Sequence, residues 1–188
     1  MALTSGQILG ERYRIQALLG EGGFGAVYRA WDTQLNGAVA VKESLDISEA
    51  SQEQFKVEAE LLYKLRHPSL PGVIDYFMIP RQGQYLVMDF IEGQDLASMA
   101  QRAQGPLPEA QVLAWIEQVC DALAYLHAQE PPIIHRDIKP ANIRITPAGQ
   151  AMRHGKAMLL RIVSMLASKL SLPPHLLDGG DSYPVRGA

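Results

Sequence analysis

The sequence of 188 residues has a single cysteine, no long apolar run and no strong excess of either charge. One cysteine, Cys120, excludes an internal disulfide framework and a zinc site built from cysteines. The longest apolar stretch, residues 157–170, is interrupted by Arg161 and is too short to cross a bilayer. Residues 1–12 lack the basic start and apolar run of a signal peptide, so we expect a cytoplasmic chain without a membrane span.

The composition is that of a globular protein, with 47% hydrophobic and 20% charged residues. A net charge of −3 gives no reason to expect a nucleic acid as partner. A chain of this length buries roughly 70% of its unfolded surface, which is enough for one substantial domain or two small lobes.

The first ninety residues predict a strand-rich part. Loose alternation over 13–19 indicates a strand, and the segments at 26–32 (AVYRAWD) and 37–45 (GAVAVKESL) indicate two more. The glycine-rich segment at 20–27 (GEGGFGAV) is therefore expected to be the tip of a hairpin. Its glycines let backbone amides approach a phosphate closely, although a plain glycine-rich turn is the alternative.

A helix is predicted to come next, with Ser51 and Gln54 as a plausible capping box at its start. Glu60 falls on the polar side of this helix, where neighbouring lysines explain it. Glu58 instead shares the apolar stripe, which consists of Phe55, Leu62 and Leu65.

Lys42 is the natural partner for an inward-facing Glu58. In the predicted strand that contains VAVK, the period of two places Ala40 and Lys42 on one face. A carboxylate that faces inward needs a cation, and Lys42 is the candidate, although an exposed strand lysine is the alternative.

Two further strands are predicted around 72–78 and 84–90, followed by a linker at 91–96 and a helix from Pro108 to about Ala128. Cys120 is expected to be a small buried residue beside the core stripe of this helix. After the helix the chain enters the loop PPIIHRDIKPAN. The predicted stripe consists of Val112, Ile116, Val119, Leu123 and Leu126.

The segments GEGGFGAV, VAVK, the inward Glu58, YLVMDF and HRDIKPAN occur in the order found in protein kinases. Over about residues 11–150 the chain resembles that family, in its bacterial-type serine/threonine branch. The resemblance implies an α+β, two-lobed fold with a complete strand-rich N-lobe at 1–90, which carries one key helix. It also implies an incomplete helical C-lobe at 91–150 and an atypical tail at 151–188.

The resemblance further implies ATP and magnesium as cofactors and a protein serine or threonine hydroxyl as the substrate. Lys42 would bind the α- and β-phosphates and be held by Glu58. Leu19 is also implied as a nucleotide-site residue. The others implied are Gly20, Gly22 and Gly25 over the phosphates, Val27 and Ala40 on the adenine, Met88 at the back of the adenine pocket, and the backbone of Asp89 and Ile91 at the adenine edge.

The loop HRDIKPAN would supply the catalytic residues. Asp137 resembles the base that orients the substrate hydroxyl and accepts its proton. Lys139 would neutralise charge on the transferred phosphoryl group, and Asn142 would bind magnesium.

The sequence departs from the family pattern after Gln150. No acidic residue occurs between Asp137 and Asp178, and no Asp-Phe-Gly is present to supply the principal magnesium ligand. We therefore expect a serine/threonine kinase domain that is inactive in this form. The alternative is a non-catalytic, nucleotide-binding pseudokinase or scaffold module, and whether the tail is native, frame-shifted or a truncation product stays open.

Overall fold

A computed structural model describes residues 2–22, 25–46, 48–134 and 138–153. The first part of the chain forms an antiparallel sheet of six strands, in the order β1-β2-β3-β4-β6-β5. Its strands are β1 (Ile8–Leu9), β2 (Tyr13–Gly22), β3 (Gly25–Asp32), β4 (Gly37–Ser44), β5 (Val73–Ile79) and β6 (Gly83–Asp89).

The helical part comes after the sheet and carries a second, smaller sheet. The small sheet is antiparallel, in the order β7-β8-β9. Its strands are β7 (Gln94–Asp95), β8 (Ile143–Ile145) and β9 (Ala151–Arg153). The helices of the described residues as a whole are α1 (Glu49–Lys64), α2 (Leu96–Arg102), α3 (Glu109–His127) and a short 3-10 turn at Pro140–Asn142.

The two faces of the large sheet carry different residues, because successive side chains of a strand point to opposite sides. Val39 and Val41 of β4 pack on one face with three buried tyrosines. Ala40 and Lys42 are buried on the other face, as the alternation predicts. The tyrosines of the first face are Tyr13, Tyr28 and Tyr85.

One apolar core joins the sheet to both long helices. Leu62 of α1 and Leu86 of β6 belong to the same buried cluster as Ala122 and Leu126 of α3. A neighbouring cluster centred on Trp115 packs α3 against the small sheet. The position of α1 on the large sheet is therefore tied to α3 through shared side-chain packing.

The start of α1 corrects the predicted capping box. The cap is Ser48, whose hydroxyl accepts a hydrogen bond from the Ser51 amide at 3.3 Å. Ser51 lies inside the first turn and donates instead to the carbonyl of Asp46 at 3.2 Å. Two serines three residues apart offer two equivalent starts, and the upstream contact with Asp46 selects the earlier one.

The buried face of α3 also differs from the predicted stripe. Val119 and Leu126 are buried as expected, but Ile116 is 49% exposed and Cys120 is exposed, so both of those predictions were wrong. Trp115 and Ala122 are buried instead. The helix has more apolar residues than one stripe can hold, and the fit of the large indole on the small sheet decides the rotation. Pro108 precedes the helix as its cap residue rather than beginning it.

Among the described residues, no helix is long and apolar enough to cross a membrane.

Gly93 allows the chain to enter the small sheet. Its φ is +120°, and a Cβ built there would lie 1.9 Å from the carbonyl oxygen of Ile145. We expect Gly93→Ala to destabilise the chain by about 2 kcal/mol or more, because it combines a strained backbone with a clash against backbone. Urea unfolding measures this change in the free energy of unfolding.

Gly105→Ala is the matched control, because no atom lies within 4 Å of a Cβ built at that glycine. It should change stability by less than about 0.5 kcal/mol. Equal effects of the two substitutions would show that the approach of Gly93 to Ile145 does not constrain the fold.

Candidate nucleotide site

The glycine-rich segment is the end of the β2–β3 hairpin, as predicted. Gly20 pairs with Val27, and Gly22 pairs with Gly25 at the last described position before the tip. Gly25 has φ of +121°, and a Cβ there would lie 1.9 Å from the carbonyl oxygen of Glu43. A glycine is thus required at position 25 for the hairpin to lie against β4, whatever the hairpin binds.

Strand register brings four of the predicted residues onto one face beneath this hairpin. Val27 lies opposite Lys42, and Ala40 lies opposite Met88. Directly opposed residues of antiparallel strands share a face, so these side chains form two adjacent rows across β3, β4 and β6. Leu19, 40% exposed, lies in β2 at the shift of register between Leu18 and Gly20.

Lys42 and Glu58 meet between this face and α1. The Lys42 Nζ lies 3.8 Å from the Glu58 Oε1, and each residue is only 6% exposed. This separation is too long for a hydrogen bond, and the Glu58 Oε1 has no hydrogen-bond partner among the described residues. At this separation the attraction between the two charges, rather than a close hydrogen bond, links the pair, and the ammonium can still donate to another ligand.

Burial opposes the charge of both partners. It raises the pKa of the Glu58 carboxyl to about 7, although the Lys42 charge acts in the opposite direction. Burial likewise lowers the pKa of the Lys42 ammonium, against the attraction of Glu58. An anion that entered beside Lys42 would stabilise its charged form, which is the electrostatic behaviour expected of a phosphate-binding lysine.

At the end of the site near the linker, apolar side chains are buried and the backbone is hydrogen-bonded. Met88 is half-buried, and Ile91 is 6% exposed. The Asp89 side chain is exposed and accepts a hydrogen bond from the Gly72 amide at 2.8 Å, while its own amide donates to the Gly72 carbonyl at 3.0 Å. Sequence reasoning assigned Asp89 only through its backbone and did not foresee this bond.

Two of the three predicted catalytic residues lie in the described part of the chain. Lys139 is exposed, and its carbonyl accepts a hydrogen bond from the Asn142 amide at 2.8 Å, which closes the turn at Pro140–Asn142. Asn142 is half-buried. Asp137 lies outside the described residues, so its predicted role as the base stays a prediction.

Magnesium has few ligands in the part of the chain that the structure describes. No group of three or more histidine, cysteine, aspartate or glutamate side chains capable of holding a metal occurs there. Asn142 is the one predicted metal ligand in that part, and an octahedral ion would need further oxygens from phosphate and water.

Helix α3 is hydrogen-bonded to the β8–β9 hairpin, which follows the turn at Pro140–Asn142. The sequence alone did not predict these hydrogen bonds. The Trp115 Nε1 donates to the Gly149 carbonyl at 3.0 Å, and the Gln118 Oε1 accepts from the Ala151 amide at 2.9 Å. The hairpin continues through Arg153, so the predicted change of character at Gln150 falls within a formed hairpin and stays a prediction.

An antiparallel sheet with a buried lysine–glutamate pair, joined by a short linker to a helical part, is the architecture expected of a protein kinase domain. The family model described as "Protein kinase domain" matches residues 13–162. The chain belongs to this family, and the predicted family and fold class are confirmed.

The relatives place the chain in the bacterial serine/threonine branch. It is 38% identical over 157 residues to the serine/threonine-protein kinase PknA of Mycobacterium tuberculosis, across 80% of this chain and 36% of PknA. It is 34% identical over 145 residues to the kinase pkn3 of Myxococcus xanthus, across 76% of this chain and 26% of pkn3. The probable kinase YbdM of Bacillus subtilis is 37% identical over 147 residues, across 76% of this chain and 56% of YbdM.

A solved structure supports the same assignment. The chain superimposes on the PknI kinase domain of M. tuberculosis with a TM-score of 0.67 and 28% sequence identity, covering 84% of this chain and 62% of that domain. The chain thus spans between about a quarter and just over half of the length of these curated relatives.

Glu58 gives a prediction about pH. Its folded-state pKa of about 7 lies above the value of about 4.3 in an unfolded chain, so the folded state holds the proton more tightly. The stability that this group contributes is fully present below about pH 4 and is lost as the pH rises through about 7. Relative to Glu58→Gln, the unsubstituted chain should therefore lose stability between about pH 4 and about pH 7.

Glu60→Gln serves as the control, because Glu60 lies two residues away on the exposed side of α1. Denaturant unfolding of all three proteins across this pH range gives the comparison. If Glu58→Gln and Glu60→Gln show the same pH dependence, the buried carboxyl does not titrate as its surroundings indicate.

Proposed function

We propose that the chain is an ATP-binding serine/threonine protein kinase domain whose nucleotide lies between the glycine hairpin and the linker. The protein kinase family uses ATP and magnesium to phosphorylate proteins. In this chain the triphosphate would lie beside Lys42, with the adenine between Val27 and Ala40 and the backbone of the linker. Met88 would close the back of the adenine site.

The buried Lys42–Glu58 pair is the observation that carries this proposal. A buried pair held 3.8 Å apart contributes little to stability, because burial removes hydration from both charges. The presence of this pair under a glycine hairpin is explained if the Lys42 ammonium binds a ligand of opposite charge. The phosphates of ATP are such a ligand, and the cation would be positioned before they arrive.

Phosphoryl transfer would take place at the turn of the helical part that contains Asn142. Asp137 would orient the substrate hydroxyl and accept its proton, and Lys139 would offset negative charge on the transferred group. Asn142 would contribute one ligand to magnesium, which neutralises phosphate charge when it is bound. The protein substrate, with its serine or threonine hydroxyl, belongs to this proposal.

A non-catalytic, nucleotide-binding module is the second candidate. The absence of any acidic residue from 138 to 177 favours it, because the family's principal magnesium ligand is an aspartate in that region. Magnesium-dependent phosphorylation by the purified chain separates the two candidates.

Three further expectations stay predictions: the inactivity of the 188-residue chain, its cytoplasmic location and the lack of a nucleic-acid partner.

Lys42→Ala tests the nucleotide site. It should weaken ATP binding by about tenfold or more, because the phosphates lose a charge-assisted contact in a buried setting. Lys64→Ala, at the exposed end of α1, removes the same charge outside the site and should leave ATP affinity unchanged. Equal ATP affinities of the unsubstituted chain and Lys42→Ala in calorimetry would contradict the site.

Asp137→Asn tests the catalytic step in a version of the chain with a family-like continuation after Gln150. Turnover should fall by about two to four powers of ten, as expected for loss of a positioned base, while ATP affinity stays nearly intact. Steady-state phosphorylation and ATP binding are measured on the same protein. Retention of turnover would remove Asp137 from the role of base.

A further inference from the structure

Two arginines contact successive residues, Phe90 and Ile91, where the linker between the sheets begins. The Arg29 guanidinium, from β3, lies over the Phe90 ring at 4.9 Å from its centroid. The Arg144 guanidinium, from β8, donates from its NH1 to the Ile91 carbonyl at 3.1 Å. One arginine belongs to the large sheet and the other to the small sheet, so both sheets contact the same short segment.

Neither arginine forms a close ion pair, although Arg144 lies directly opposite Asp95 in the β7–β8 pair. No carboxylate oxygen of the described residues lies within 4.0 Å of either guanidinium. Both arginines keep a buried Nε that has no hydrogen-bond partner among those residues. For Arg29, partial burial of a cation without a close anion among these residues is unfavourable unless the contact it makes is needed.

The register places Arg29 directly in the proposed site. Arg29 lies opposite Ala40, and Ala40 lies opposite Met88, so the three form one row on the face of the large sheet that carries Lys42. Lys42 lies in the next row toward the hairpin tip, about 7 Å away at the spacing of alternate strand residues. Arg29 is therefore grouped with the adenine end of the proposed site and Lys42 with its phosphate end.

The linker also contains Gly93, two residues after Ile91. This glycine has φ of +120°, and it gives the backbone a conformational freedom that other residues lack. The hydrogen bond from Arg144 fixes the peptide that begins at the Ile91 carbonyl, and a bond from a charged donor is stronger than a neutral one. The ring contact of Arg29 holds the preceding residue from the opposite side.

We propose that Arg29 and Arg144 form a linker clamp, and that both are positioning residues for the nucleobase. This inference rests on the proposed function, because the backbone of the linker is the part assigned to adenine. The clamp holds that backbone in its binding geometry before the nucleotide arrives, so its loss costs affinity for the base rather than for the phosphates.

The test compares three probes: ATP, adenosine and inorganic tripolyphosphate, each titrated by calorimetry into the 188-residue chain and its variants. Arg144→Met and Arg29→Met should each weaken adenosine and ATP binding by about three- to tenfold and change tripolyphosphate affinity by less than about twofold. Arg144→Lys, which keeps a cationic donor, should recover part of the loss. Lys42→Ala should show the reverse pattern, with tripolyphosphate affected and adenosine spared.

Arg14→Met is the matched control, since Arg14 is an exposed strand arginine on β2, and all three affinities should stay unchanged. Unchanged adenosine affinity in both Arg29→Met and Arg144→Met, or an equal loss for tripolyphosphate, overturns the clamp. If Arg144→Met does not fold, Arg29→Met and Arg144→Lys decide the matter by the same criterion. Failure of the unsubstituted chain to bind ATP would contradict the proposed function, and the clamp with it.

Discussion

A lysine and a glutamate are buried together between the large sheet and α1, and the fold has to hold both groups in place. Removing a charged group from water costs on the order of several kcal/mol per ion, and a separation of 3.8 Å recovers only part of that. Burial raises the pKa of the Glu58 carboxyl and lowers the pKa of the Lys42 ammonium. Such a pair stabilises a fold only weakly, but it positions a positive charge beside which an anion can bind.

The surrounding architecture serves to hold that pair in place. Lys42 is fixed by β4, which has a strand on each side, and Glu58 is fixed by α1. The packing of α1 passes through Leu62 to Ala122 and Leu126 of α3, so the helical part sets the position of Glu58 as well. A shift of α1 would separate the two charges and leave both buried without compensation.

Much of this arrangement could be predicted from local sequence. The alternation in VAVK placed Lys42 on the same face as Ala40, and the position of Glu58 on an apolar stripe indicated a buried carboxylate. Both predictions are confirmed by the burial of the two residues. They succeeded because a strand or helix with one buried face imposes a fixed period on its residues.

The failures came where the sequence offered competing choices that only packing resolves. Helix α3 carries apolar residues on more than one face, and the contact of Trp115 with the β8–β9 turn selects a face that leaves Cys120 exposed. The arginine contacts at the linker join residues more than fifty positions apart, such as Arg144 and Ile91, and no local pattern encodes them. The capping of α1 by Ser48 depended on a contact with Asp46 that the spacing of serines did not show.

A double-mutant cycle between Lys42 and Glu58, read out as ATP affinity, measures whether Glu58 acts through Lys42. If Glu58 acts by holding Lys42, Glu58→Gln weakens ATP binding in the unsubstituted chain but causes no further loss in Lys42→Met. The coupling free energy should then be about 1 kcal/mol or more, as for residues in direct contact. A loss of the same factor in both backgrounds would show that the two residues act independently, so that Glu58 does not hold Lys42 for the nucleotide.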